Sequence, residues 1–92
     1  MPQIFRIGAY WVYFFANEQK PLEPIHVHIS KGAPHPNAPK VWITSRGKCL
    51  LARKQSEIPD RVLRNIIDII EARSDEIIQK WQAFFGEITY FC

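Results

Sequence analysis

The sequence predicts an α+β domain: an antiparallel sheet of three to five strands, an N-terminal hairpin among them, followed by two C-terminal helices packed on one sheet face. Three observations carry this. Up to residue 52, short runs of alternating or aromatic apolar residues are separated by Gly- and Pro-bearing breaks, which is the punctuation of strands. From residue 58 the apolar residues recur at helical spacing instead. Strands come first and helices after, which favours α+β over an alternating α/β arrangement.

Residues 3–7 read as a short strand. Gly8-Ala9 is a two-residue connection with Gly first, suited to a type II′ hairpin turn. Residues 10–16 form a second strand, aromatic on both faces and therefore central. Residues 17–24 contain Pro21 and Pro24 and read as a loop. Residues 25–31, Ile-His-Val-His-Ile-Ser-Lys, alternate strictly and form the third strand. Residues 32–39 carry one Gly and three prolines, which excludes a helix or central strand and leaves a stiff loop holding His35. Residues 40–44 are a fourth strand, Ser45-Arg46-Gly47 a turn, and residues 48–52 a fifth short strand.

The first helix starts near Pro59, with Asp60 beside it to suit the helix dipole. Val62, Leu63, Ile66, Ile67, Ile69 and Ile70 make a broad apolar stripe. Ser74 is expected to cap a second helix, with Asp75 and Glu76 in its first turn. Ile77, Ile78, Trp81, Phe84 and Phe85 follow, and Gly86 ends the helix in a left-handed cap. The last residues, 88–91, are apolar enough to pack or to add a short strand.

At 92 residues the expectation is one domain over 1–92, with strands mainly to residue 52, two helices over 58–86 and a tail over 87–92. Such a chain buries one core with a thin stability margin. Most of its twelve aromatic residues fall in two clusters, 10–15 and 81–91, which should meet in that core. There is no secretory leader pattern and no segment of membrane-spanning length. With only two cysteines, Cys49 and Cys92, the expected setting is the reducing cytoplasm and the thiols are unpaired; a Cys49–Cys92 bridge or dimerisation through Cys92 is the alternative. The formal charge is +3, unevenly spread. Residues 24–56 hold no Asp or Glu but contain Lys31, Lys40, Arg46, Lys48, Arg53 and Lys54 and all three histidines. That stretch could face phosphates or an acidic partner, or it could be a solvated strand face guarded by lysines against aggregation.

Strand alternation sends His26 and His28 to the same side of the third strand. They are expected to share its non-core face, beside Lys31. Two imidazoles so placed can begin a metal site, with Glu18, Glu23 or His35 as further ligands. They can also be held by hydrogen bonds or touch a partner, and their titration near neutrality would make such a contact pH-sensitive. No second His/Cys cluster at metal spacing exists, so no cofactor is expected.

An order of motifs carries a family resemblance. Pro2 and Ile4 precede an aromatic hairpin with Gly8, Tyr10, Phe14 and Phe15. An Asn17-Glu18 turn follows, then the His26-Val27-His28 strand closed by Lys31-Gly32, and the ending Trp81-x-x-Phe84-Phe85-Gly86. Together, over roughly residues 2–86, they resemble the small bacterial proteins of the DUF4160 family, a domain of unknown function. Residues 32–39 look like an insertion relative to the family, and residues 87–92 run past its usual end. The resemblance implies a cytoplasmic bacterial protein, of a kind encoded beside another small protein in a toxin–antitoxin-like or regulatory arrangement. It carries over no catalytic residue.

Four readings of the surface follow. In a ribonuclease-like toxin, His26 or His28 would act as base, and Lys31, Arg46 or Lys48 would hold the phosphate. In a nucleic-acid binder, Trp42 among cations would stack bases, against the alternative that Trp42 packs in the core. In a metalloprotein, His26 and His28 would be ligands. In an interaction module, apolar helices and edge strands would pair with a second copy or a small partner protein. Cys49, in an apolar strand, is expected to be inert. The leading expectation is the interaction module, one component of a toxin–antitoxin-like pair, meeting an acidic partner or RNA through a basic strand face of His26, His28, Lys31, Lys40, Arg46 and Lys48. The alternative is the ribonuclease-like toxin or a metal-binding protein using the His26/His28 pair.

Overall fold

The computed structural model describes residues 3–16, 22–35, 37–53 and 58–92. Five strands precede two helices: β1 (Gln3–Ile7), β2 (Tyr10–Tyr13), β3 (His26–Lys31), β4 (Lys40–Ile43), β5 (Cys49–Arg53), α1 (Asp60–Ala72) and α2 (Ser74–Phe85). Each strand pairs antiparallel with its neighbour in sequence, giving the order β1-β2-β3-β4-β5. Short connections favour the β1–β2 and β4–β5 pairs, because strands joined by a turn pair with least loss of chain entropy, whereas longer segments separate β2 from β3 and β3 from β4. Gly8 opens the first turn at φ 59°, the left-handed value that primed hairpin turns require.

The register sorts the side chains. Val12 lies opposite Ile29, and Val27 opposite Val41, so these share one sheet face. Phe5, opposite Val12, extends it. That face meets Leu63, Ile66 and Ile70 of α1 and Ile77, Trp81 and Phe85 of α2 in one buried cluster. Positions 63, 66 and 70, and 77, 81 and 85, recur every three or four residues, so each helix presents one stripe. The two aromatic clusters do meet: the Phe14 ring lies 5.0 Å from Trp81 and 5.3 Å from Phe85.

Two details differ from the sequence expectation. First, β2 ends at Tyr13 rather than at residue 16, because its pairing with β1 ends at Gln3 opposite Tyr13. Beyond it, Phe14 turns to the helices, and Phe15 packs against Tyr13 (5.5 Å) and His28 (4.9 Å). Second, Ser74 is not a cap. Arg73 takes the N-cap position with no side-chain cap bond, and its amide still donates to the carbonyls of Ile69 and Ile70, so α1 passes into α2 through one kinked residue. Ser74 is buried under the β4–β5 turn instead. Of the two courses open to the tail, it takes packing and forms no strand. It packs across the sheet end, with the Ile25 amide donating to Thr89 O (2.9 Å) and the Ser45 amide to Cys92 O (3.0 Å). Gly86 caps α2 in the left-handed conformation, as expected. Both cysteines are free, which corrects the alternative of a bridge between them. No helix among the described residues is long and apolar enough to cross a membrane.

Candidate functional site

β3 is the middle strand, and that position decides the fate of its histidines. His26, Val27, His28, Ile29 and Ser30 are all buried. The odd-numbered side chains enter the helix-covered core. The even-numbered row, His26-His28-Ser30, faces the other way, yet His26 is 0% and His28 5% exposed. Its cover is made of side chains. His28 pairs with Tyr13 across β2 and with Lys40 across β4; the Tyr13 ring stacks on it at 5.7 Å and Phe15 packs at 4.9 Å. His26 contacts Trp42 (5.5 Å) and His28 (5.1 Å) on this side and also reaches Trp81 of the helix-side cluster (5.4 Å), so it bridges the two sides. Its Nδ1 donates to the Pro24 carbonyl at 2.9 Å, which places the proton on that nitrogen. Ser30 and the Tyr13 hydroxyl share a 2.6 Å hydrogen bond, and that hydroxyl also accepts from the His35 amide at 3.2 Å. A polar row is thus enclosed in an aromatic shell.

The expected basic face is not assembled. Lys31 is exposed, but it lies opposite Tyr10 and so on the pleat opposite to His26 and His28. This was readable from parity: residue 31 alternates with 25, 27 and 29 rather than with 26 and 28. Arg46 and Lys48 are exposed at the β4–β5 turn, where the Thr44 hydroxyl accepts both of their backbone amides (3.3 and 3.1 Å). Ile43, just before that turn, donates to Ile25, so Lys31 lies six residues along β3 from it, about 20 Å away. Lys40 sits between, its ammonium ion-paired with Glu23 and 4.4 Å above the Trp42 ring. The cations are therefore spread along the sheet, while the histidines lie beneath its surface. Among the described residues no three His, Cys, Asp or Glu side chains come together as a metal site; Pro2, Asn17 and Glu18 lie outside the described residues.

A different surface appears at the sheet margin. β5 ends the strand order, and its Leu50 and Leu51 are 41% and 43% exposed. Leu50 lies opposite Trp42 on the histidine side, Leu51 opposite Val41 on the helix side. Each overlooks a hollow. On the histidine side Trp42, Leu50, Lys40 and Phe91 border an open groove of about 620 Å³. On the helix side Leu51, Leu63, Arg64 and Ile67 border one of about 230 Å³. Phe91 lies stacked on Trp42 at 4.9 Å, so the tail forms part of the first groove. At one end of β5 the Cys49 amide donates to the Glu71 carboxylate at 2.8 Å. Burial, with Glu71 and Asp68 adding repulsion, pushes the Cys49 thiol up to about 12, which makes it the inert group expected.

Trp42 is thus neither core nor free: it is half-buried between a lysine and the tail. The tail's contribution could not be read from sequence, since nothing local says where residues 87–92 return. The edge character of β5 had a signal, an apolar Cys49-Leu50-Leu51-Ala52 run bracketed by Lys48 and Arg53.

These features define a small α+β domain with a five-stranded meander, two helices on one face and an enclosed histidine row on the other. The chain belongs to the family described as a domain of unknown function (DUF4160), whose model matches residues 9–82. The match spans β2 through most of α2 and leaves the tail outside it. Neither a curated protein nor a solved structure matches the chain.

Proposed function

We propose that this domain is a small interaction or regulatory module that binds its partner at the β4–β5 margin. The observation that carries this reading is the edge strand β5, which exposes Leu50 and Leu51 on opposite faces beside a groove bordered by Trp42 and Phe91. Apolar side chains left exposed on both faces of an edge strand suit a contact better than a free surface. The burial of both histidines supports the same choice. A ribonuclease needs a base within reach of a ribose hydroxyl, and an imidazole with 0% or 5% exposure has no such access without rearrangement. A metal held by His26 and His28 needs further ligands. The free thiols support a cytoplasmic setting, and the place in a toxin–antitoxin-like pair is part of this proposal, taken from the family resemblance.

The test is purification at native expression level from the source organism, with the bound protein and RNA identified. One protein in stoichiometric amount is expected, lost on Leu50→Glu while the variant keeps its thermal unfolding. Retention of that protein by Leu50→Glu would overturn the reading. So would RNA cleavage by the purified domain that disappears on His28→Ala.

A further inference from the structure

The groove on the histidine side already holds a ring of the chain's own tail. We infer that Phe91 is a displaceable cover: the partner seats an aromatic side chain on Trp42 in its place, so that tail and partner compete for one site, a competition that rests on the interaction proposed at this margin. The Phe91 ring lies within 5° of parallel to the Trp42 indole, 4.9 Å from it. Trp42 therefore takes a flat ring face to face, and such a pair gains more than its buried area alone. An aliphatic side chain in the same seat would bury surface without that gain. The Lys40 ammonium, 4.4 Å from the same indole, is paired with Glu23, so ring shape rather than charge selects the occupant.

The hold on the tail is uneven. Ile88 and Tyr90 pack against the core cluster, and the Thr89 carbonyl accepts from the Ile25 amide, which anchors the inner part. The outer part is held by the stack and by the Ser45 amide, which donates to Cys92 O. Phe91 stays 59% exposed, more than any other large apolar side chain among the described residues. Lifting it from Trp42 therefore uncovers a surface that a partner's ring covers again. The groove of about 620 Å³ beside it, bordered also by Leu50, gives that ring an approach. Seat and cover also divide at the limit of the family match: Trp42 and Leu50 lie within residues 9–82, and Phe91 lies outside them. A ligand that needs the open seat binds more weakly in proportion to the fraction of molecules in which it is open. The strength of the Phe91 stack thus sets the affinity for the partner.

The test is an NMR titration of the full chain with a soluble peptide that has a Leu-Thr-Phe-Thr-Leu centre, followed at the Trp42 indole and the Phe91 ring. Weak, saturable binding is expected, and the Phe91 ring protons, shielded by the indole in the free chain, should move downfield as the peptide takes the seat. Phe91→Ala is expected to tighten binding about fivefold, the factor for a ring pair that contributes about 1 kcal/mol. Phe91→Trp, with a larger ring on the seat, should weaken it. A fixed wall of the groove predicts the opposite sign, since removing Phe91 would then remove a contact. If circular dichroism shows that Phe91→Ala loses the fold, Phe91→Leu, which keeps apolar bulk without the stack, replaces it. Weaker, unchanged or absent binding by the Phe91→Ala chain would overturn the inference. So would Phe91 signals that stay shielded in the complex, or equal binding of a peptide with cyclohexylalanine in place of its phenylalanine. A concentration-dependent dimer lost on Phe91→Ala would overturn it too, because the tail of a second copy would then be the occupant. A native partner lost on Leu50→Glu but held no more tightly by Phe91→Ala would overturn displacement alone and leave the interaction module standing.

Discussion

The Trp42 indole and the Phe91 ring lie stacked, their centroids 4.9 Å apart and their planes within 5° of parallel. The two residues are 49 positions apart in the chain, and this contact, with the Thr89 and Cys92 carbonyls, ties the tail to the sheet. Phe91 is still 59% exposed, so the stack is worth about 1 kcal/mol rather than a full core burial. Phe91→Ala is expected to lower the melting temperature by about 4–8 °C and to alter the tryptophan emission spectrum. Hydrogen exchange should rise at the Ile25 and Ser45 amides, which donate to the tail. An unchanged exchange rate at both would show that the tail holds without the stack.

Trp81 is the largest fully buried side chain, and it touches Phe14, Phe85 and His26. Trp81→Ala is expected to cost about 3–5 kcal/mol, a large share of the roughly 5–15 kcal/mol available to such a domain. Among the described residues Nε1 of Trp81 has no acceptor. Trp81→Phe removes that unsatisfied donor together with part of the ring, so its cost should be well below that of alanine. Chemical denaturation of both variants measures the difference; equal costs would count against the argument.

Gly47 and Gly8 separate conformational from steric cost. Both have positive φ, 76° and 59°, where a side chain is strained. A Cβ at Gly8 meets nothing within 4 Å, whereas one at Gly47 meets Ser74 Oγ at 2.9 Å. Gly8→Ala is expected to cost about 1 kcal/mol, and Gly47→Ala more, because the β4–β5 turn must lift from the start of α2. Ser74→Ala should restore part of the loss. Additive effects in the double variant would show that the contact does not matter.

The two thiols should differ in reactivity. Cys92 is exposed, whereas the Cys49 thiol is pushed up to about 12. At pH 8 a thiol reagent is expected to modify one cysteine rapidly, and the second only after denaturation. The linkage has a definite sign. Above the ordinary thiol value of 9.0 the unfolded chain loses its proton while the folded chain keeps it, so stability falls as pH rises from about 9 toward 12. Cys49→Ala should flatten that decline relative to the native chain in urea titrations across this range.

Much of the architecture was open to reading from residue order. The switch from strand to helical spacing near residue 58 separated sheet from helices, and the glycines at 8, 47 and 86 marked turns and a cap, because these signals act over a few neighbours. Strand parity also placed His26 and His28 together, and correctly applied it separates Lys31 from them. Residue order alone determined an antiparallel sheet of three to five strands followed by two amphipathic helices; the strand order β1-β2-β3-β4-β5 came with the tertiary structure. Only the tertiary structure decided which polar groups see water. β3 became the middle strand, and Tyr13, Phe15 and Trp42 closed over its histidines. The tail came back to cover Trp42, and β5 was left as an open edge. Local propensity cannot settle such outcomes, since burial depends on side chains distant in sequence that arrive only when the chain has packed.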